Sequence, residues 1–244
     1  MTLPTPHEKA ATVRAMFARI ALRYDLMNHL MTFGCDQSWQ REVVRRADLP
    51  NGGRLLDIGC GTGGIAKAAW IHNPSLKVTA ADFTLAMLQK GCSGPWRPRL
   101  RWYCADALSL PFADNTFDAV TSGYLIRNVA DIHQALVEQC RVAKPGARIV
   151  CLDTAPPGRH PLKPLIDFHM HRVIPMVGGL VSGDPMAYRY LPQSTRAFKT
   201  PEELTQAMRA AGLVQVAYQR RMFNTVTIIY GRVPARDAED TARG

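Results

Sequence analysis

From residue 54 to residue 153, five short runs of strand character alternate with stretches of helical length, and nothing else in the chain restricts its fold as much. The runs are 54–58, 77–82, 100–104, 117–123 and 148–153. The best-defined helix between them spans 131–144. It has apolar residues at 132, 135, 136, 140 and 143, Asp131 as N-cap and Pro145-Gly146 as stop. A β-α-β-α order of this kind requires crossover helices, so it predicts an α/β fold with a doubly wound, mostly parallel sheet covered on both faces. After Thr200-Pro201-Glu202-Glu203, which supplies an N-cap, a first-turn proline and an acid at N3, a helix runs to about Gly212. Alternating segments 213–218 and 225–230 then close a seven-stranded sheet as an antiparallel pair.

The 244 residues read as one domain, 1–244, with 54–153 as its core. Residues 7–50 form an N-terminal helical cap of two or three amphipathic helices. Residues 155–199 hold seven of the 17 prolines and four glycines without a clean period, and are read as a lid insert. Residues 200–232 make the closing helix and strand pair, and 234–244 are expected to be a disordered tail. The longest apolar stretch, 173–181, is interrupted by a proline and two glycines and is too short to span a bilayer. The first residues mix acid and base with no apolar signal core, so a cytoplasmic location is expected. Six cysteines never fall at C-x-x-C spacing, which favours free thiols over disulfides or a structural zinc site. Thirty Lys and Arg against 20 Asp and Glu give a formal +10, compatible with nucleic acid, an anionic membrane or an acidic ligand.

The segment 55–64 (LLDIGCGTGG) carries the most chemistry. Gly59, Gly61 and Gly64 satisfy G-x-G-x-x-G between a strand and a helix, the pattern of dinucleotide sites. Asp57 argues against a dinucleotide. A pyrophosphate at this turn would meet a carboxylate, whereas S-adenosylmethionine (SAM), with an ammonium and a sulfonium, would be attracted. Asp82, 21 residues after Gly61, stands where a carboxylate can accept both ribose hydroxyls. Asp106-Ala107 can take the adenine amino group and a ring nitrogen, and Gly123 lets the chain pass beneath the methionyl moiety. Taken singly, Asp57 and Asp106 read as helix-cap or turn residues. Together they point to SAM as the bound cofactor.

The segments 57–63 (DIGCGTG), 81–88 (ADFTLAML), Leu110-Pro111-Phe112 with Asp114, and 141–146 (RVAKPG) resemble class I SAM-dependent methyltransferases, a Rossmann-like fold. Three more narrow the likeness. Segments 23–34 (RYDLMNHLMTFG), 125–131 (LIRNVAD) and 187–195 (AYRYLPQST) are similar to the ubiquinone/menaquinone-biosynthesis C-methyltransferases of the UbiE type. The resemblance implies methyl transfer from SAM to a ring carbon of a polyprenylated quinol, demethylmenaquinol or a ubiquinone precursor. It carries SAM contacts onto Thr62, Asp82, Asp106, Ala107 and Gly123, with Phe83 beside Asp82. Thr62 also stands before a helix, where a hydroxyl and free N–H groups can meet a carboxylate. Four positions depart from the family pattern: Gly64 for an acid, His169 for a tyrosine, Gln193 for a glutamate and Ile229 for a histidine. They bear on the acceptor rather than the donor.

Methyl transfer to a ring carbon needs alignment, exclusion of water and a group that favours the phenolate. Arg127, after the fourth strand, is the candidate to hold the phenolate or a deprotonating water, with Asn128 orienting that water. Arg127 can equally tie loop to sheet. His169 and His171 are further candidate bases, and as zinc ligands they lack a third partner at suitable spacing, so no metal is expected. Tyr24 and Asp25 are candidates to close over SAM, although Tyr24 can equally anchor an N-terminal helix. The expected partners are the quinol and an anionic membrane surface, with a homodimer allowed. Arg159, Lys163, Arg172 and Arg189, beside apolar 176–181, would face an inner membrane leaflet. Two alternatives stay open: methylation of another lipid-like or phenolic acceptor, and an RNA-associated SAM-binding module. The absence of an aromatic-interleaved basic patch speaks against the second.

Overall fold

Parallel strands covered on both faces must be apolar on both, and the central strands meet that demand. In the computed structural model, which describes residues 6–235 except 159, 183 and 184, β1 (Arg54–Ile58) is buried from Leu55 onward and β4 (Phe117–Gly123) almost throughout. They pair in parallel with each other, β1 also with β2 (Lys77–Asp82) and β4 with β5 (Ala143–Thr154), while β3 (Arg101–Cys104) pairs in parallel with β2. The order is β3-β2-β1-β4-β5-β7-β6, where β6 (Val214–Arg221) and β7 (Val226–Arg232) close the sheet antiparallel. β5 starts five residues earlier than the sequence suggests. Ala143 pairs with Phe117 ahead of a register shift at Pro145-Gly146, which ends α6 (Ile132–Val142) at residue 142 rather than 144. Asp131 caps that helix as expected, accepting from the Gln134 N–H at 3.0 Å.

Two apolar layers flank the sheet. On one face α6 and α10 (Pro201–Ala210) pack Ala135, Leu136, Leu204 and Met208 against Leu56, Val120, Ile149 and Ile229. The expected capping box of α10 is present, with Thr200 and Glu203 each bonded to the other's backbone N–H. On the other face α3 (Asp36–Ala47) and α4 (Gly64–His72) pack Val43, Ala47, Ile65 and Ala69 against Leu55, Val78, Ala119 and Val150. The cap drawn over 7–50 therefore divides: α3 belongs to the sheet's covering layer. Of that cap α1 (Pro6–Ile20) and α2 (Tyr24–Met31) lie over the carboxyl ends of the strands, and α5 (Leu85–Gly91) packs Leu88 into the α3–α4 layer and Met87 against α1.

The segment without a clean period is helical. α7 (Lys163–Phe168), a π-pitched stretch (His169–Val173) and α8 (Ile174–Ser182) run on continuously, and α9 (Pro185–Arg196) folds back against α8. Read as breakers, the prolines hide this. Pro164 and Pro185 sit in first turns, where a missing N–H breaks no helical bond, the π pitch lies just ahead of Pro175, and Pro192 lies inside α9. Val13, Met16, Met27, Met87, Ile174 and Tyr190 form a third core that joins α1 and α2 to this insert. At the α8–α9 crossing a Cβ on Gly178 would lie 2.3 Å from Tyr188 Cγ. Gly178→Ala is expected to destabilise the protein by about 1–3 kcal/mol through overpacking, read by denaturant unfolding. An unchanged midpoint would show that the two helices do not cross there.

Cations and aromatic rings meet beside α4 as well. Arg99 lies 4.7 Å from the Trp70 ring centroid and 5.7 Å from that of Trp96, and Lys67 5.8 Å from Trp96, beside α4 and the segment entering β3. These rings are engaged by the chain's own cations.

Candidate active site

The chain leaves β1 through a turn that only glycine fits. Gly59 and Gly63 take φ of 62° and 88°, and a Cβ would lie 2.8 Å from Leu125 Cδ1 at the first and 2.6 Å from Trp102 Cη2 at the second. Gly61 also has positive φ, and its N–H donates to Asp82 Oδ2 at 2.8 Å. The other Asp82 oxygen accepts from the Thr84 N–H at 2.7 Å. Burial raises the Asp82 pKa above the usual carboxylate range, against these two hydrogen bonds.

Below the turn lie two adjoining hollows that share Tyr24, Gly59, Gly123 and Tyr124. One brings together Gly61, Asp82, Phe83, Asp106, Ala107 and Asn128. The other holds Asp25, Asp36, Asp57 and Thr62. Five carboxylates and no Lys or Arg face the two hollows among the described residues. Asp57 is the deepest of the five, 1% exposed, accepting from Thr121 Oγ1 at 2.9 Å and from the Ala66 N–H at 3.2 Å. It thus serves as a cap for α4 as well as a cleft wall. Burial pushes its pKa up to about 7. The Thr62 hydroxyl donates to Asp25, which ties α2 to the glycine turn. Asp106 is more exposed and accepts from the Leu108 N–H at 2.9 Å.

Beyond Tyr24 and Tyr124 opens a third space, a chamber of about 390 Å³ walled by α1, α2, the 155–199 helices and the β6–β7 turn. Its lining is apolar and aromatic, including Met16, Phe17, Ile20, Met31, Met170 and Ile174. Arg127 is the single Lys, Arg, Asp or Glu on that lining among the described residues. Its Nη1 donates to Asp153 Oδ1 at 2.6 Å and its backbone N–H to Asp153 Oδ2 at 3.1 Å. The guanidinium carbon lies 5.2 Å from the Tyr124 ring centroid. Burial works against the charge and Asp153 overrides it, holding the guanidinium protonated. Arg127 Nε is buried with no hydrogen-bond partner among the described atoms. The residue therefore ties loop to sheet and faces the chamber at once.

Asn128 bonds on both sides, its Nδ2 to the Tyr124 carbonyl at 2.7 Å and its Oδ1 to the Tyr190 hydroxyl at 3.1 Å. His169 lies on the chamber wall, stacked on Phe33 at 5.3 Å, with Nε2 3.3 Å from the Met31 carbonyl. His171 is exposed and lies off that wall. Among the described residues no three His, Cys, Asp or Glu side chains converge as a metal-binding group would.

The model of the ubiE/COQ5 methyltransferase family matches residues 5–232. The chain belongs to this family. It is 44% identical over 223 residues to the ubiquinone/menaquinone biosynthesis C-methyltransferase UbiE of Desulfotalea psychrophila, covering 91% of each chain. It is 45% identical over 220 residues to the demethylmenaquinone methyltransferase of Roseiflexus sp., covering 89% of this chain and 91% of the relative. A solved SAM-dependent methyltransferase from Thermotoga maritima shares the fold at TM-score 0.61 and 18% identity, covering 89% of this chain and 98% of its own. The chain is thus a SAM-dependent methyltransferase. Its cleft suits that cofactor: carboxylates for cationic and hydroxyl groups, and no cation for a phosphate.

Two of the positions that depart from the ubiE/COQ5 pattern have a structural counterpart. A Cβ on Gly64 would meet Gln40 Nε2 at 2.7 Å, so α3 occupies the space a side chain would take there. Ile229 is buried in the sheet, 2% exposed, opposite Cys151. The main residue that the sequence reading passes over is Tyr124. It lines all three spaces and takes φ of 57°, uncommon for an aromatic residue and typical of functional sites. Its position next to Gly123 at a strand's carboxyl end was the available signal. Asp153, at the carboxyl end of β5, was the other.

Proposed function

We propose that this enzyme transfers the methyl group of SAM to a ring carbon of a polyprenylated quinol, demethylmenaquinol foremost, taken from the anionic inner face of a membrane. The observation that carries the reading is the pairing of an acidic cleft with an apolar chamber whose single Lys, Arg, Asp or Glu among the described residues is Arg127. The relatives named above act on ubiquinone or menaquinone precursors, and a chamber of this lining suits an uncharged aromatic ring with an isoprenoid tail.

When bound, SAM supplies an electrophilic methyl group. Asp82 would accept its ribose hydroxyls and Asp106 with Ala107 would receive the adenine. Asp57 and Asp25 would face the ammonium. Tyr24 and Tyr124, at the junction of cleft and chamber, exclude water from the reacting centre. Arg127 places its charge where a phenolate oxygen develops, and Asp153 fixes the side chain there. Asn128 links this loop to Tyr190 of the 155–199 insert, which we read as the lid. His169 is the titratable group on the chamber wall that can receive the phenol proton.

The test is transfer of labelled methyl to three acceptors side by side: a reduced short-chain demethylmenaquinol, a phospholipid amine and bulk RNA. Label in the quinol alone is expected. Label in either of the others, with none in the quinol, contradicts the reading.

Asp57 makes cofactor binding pH-dependent. Its folded pKa, about 7, exceeds the ordinary 3.8, so between these values the native state holds more protons than the unfolded one. Stability of the ligand-free protein therefore falls as pH rises through this window, and levels off above it. A bound ammonium favours the ionised form, so SAM affinity should rise with pH and binding at about pH 6 should release a proton. Calorimetry in buffers of different ionisation heat reads that release, and Asp57→Asn is expected to abolish it.

A further inference from the structure

Exposed large apolar side chains are not scattered over this molecule. Nine of the 13 among the described residues lie on α2 and its two ends, on the helical run 162–182, or on the β6–β7 turn. On α2 and the turns at its two ends they form a stripe at spacings of four, four and three: Leu22, 80% exposed, Leu26, 52% exposed, Leu30 and Phe33. The opposite side of that helix is ordinary core, where Met27 is fully buried. A helix buried on one side has no packing reason to carry a second apolar stripe facing solvent. The neighbouring run repeats the pattern with Leu165, Phe168 and Met176, all more than half exposed. Phe33 stacked on His169 joins the two stripes into one face.

That face surrounds an opening. Phe33, Leu162, Leu165 and Phe223 line the chamber and are exposed as well, so its mouth lies among them. Exposed cations flank it: Arg172 between Phe168 and Met176, Lys163 beside Leu162 and paired with Asp167, and Arg23 at the head of α2, whose guanidinium donates to the Val181 carbonyl. Segment 155–199 carries six Lys and Arg against two Asp, a surplus that matches an anionic surface. In the stretch 176–181, which the sequence offered as the inserting part, Met176 is the exposed apolar side chain among the described residues. Val177 and Val181 pack on the third core, Arg159 lies outside the described residues, and nothing is described of the Arg189 side chain.

We infer that this face inserts into the headgroup layer of an anionic bilayer, with the chamber mouth opening directly into the acyl region. A second copy of the chain seated there would close the only route by which a bilayer-dissolved acceptor can reach a mouth so placed. A membrane leaves the mouth in contact with its source. The inference rests on the quinol reading for its purpose, although its first readout does not.

The test uses the full chain and L26S/F168S/M176S, which alters the face while leaving every chamber-lining residue in place. In sedimentation with vesicles of phosphatidylglycerol and phosphatidylcholine, the native chain should bind at low salt and release at high salt. The triple variant should bind at least tenfold more weakly. Turnover of a short-chain, water-soluble demethylmenaquinol should be equal in both, while turnover of a long-chain acceptor held in vesicles should fall with binding. Equal vesicle binding by both proteins, or none by either, overturns the inference. A native dimer in solution that the triple variant disperses would assign the face to self-association instead. Failure on the short-chain acceptor with vesicle binding intact would strike the quinol reading and leave the surface standing.

Discussion

Asp82→Asn should weaken SAM binding by about 100-fold or more, measured by calorimetry, with little loss of secondary structure. Asp82 has two oxygens that accept backbone N–H groups, from Gly61 and Thr84, and both remain open to ligand hydroxyls. An asparagine offers one oxygen and one NH₂. Whichever way the amide turns, a donor faces a donor, and either the glycine turn or the start of α5 loses its anchor. Hydrogen bonds to a charged group contribute about 1.5–3 kcal/mol each, and two weakened together exceed the 1.4 kcal/mol that makes a factor of ten. Affinity within a few-fold of the native value would move the ribose away from β2 and with it the donor site.

The second large effect is expected at Arg127, where two consequences must be separated. Arg127→Met leaves the Asp153 carboxylate, 2% exposed, without its cation. Breaking one side of a buried pair destabilises by about 3–5 kcal/mol, so this variant alone confounds folding with chemistry. In the double variant R127M/D153N no charge is stranded, and most of the lost stability should return. If Arg127 stabilises the developing phenolate, the double variant should still turn over about 100- to 1,000-fold more slowly, with SAM affinity nearly intact. Recovery of turnover together with stability would make Arg127 a strut between loop and sheet and nothing more.

The sheet was legible because its pattern is local. β1, β2 and β4 begin and end where strand-like composition does, since buried parallel strands tolerate few polar residues and turns bound them. The donor cleft was legible for a related reason. Residues at carboxyl ends of consecutive strands must converge, so Asp57, Asp82, Asp106 and Gly123 could be gathered from spacing alone. The lid helices were obscured, because prolines in first turns look like breaks when the turn positions are unknown. What spacing cannot show is which partner a side chain takes. The Thr62 hydroxyl goes to Asp25 from a helix 37 positions earlier, and Arg127 meets Asp153 from the next strand. The exposed stripe on α2 was present in the sequence as Leu22, Leu26 and Leu30, but only the buried place of Met27 shows which side of that helix faces out.

Delivery of the methyl group to carbon, not oxygen, is what distinguishes this chemistry. Carbon-13 NMR of the product formed from SAM carrying a ¹³C-methyl group, with reduced demethylmenaquinol as acceptor, reads the new bond directly. One labelled methyl on the quinol ring is expected. A labelled methyl ether, with the label on a hydroxyl oxygen, would contradict it, because Arg127 would then not be holding the oxygen as the stabilised phenolate while the ring carbon attacks.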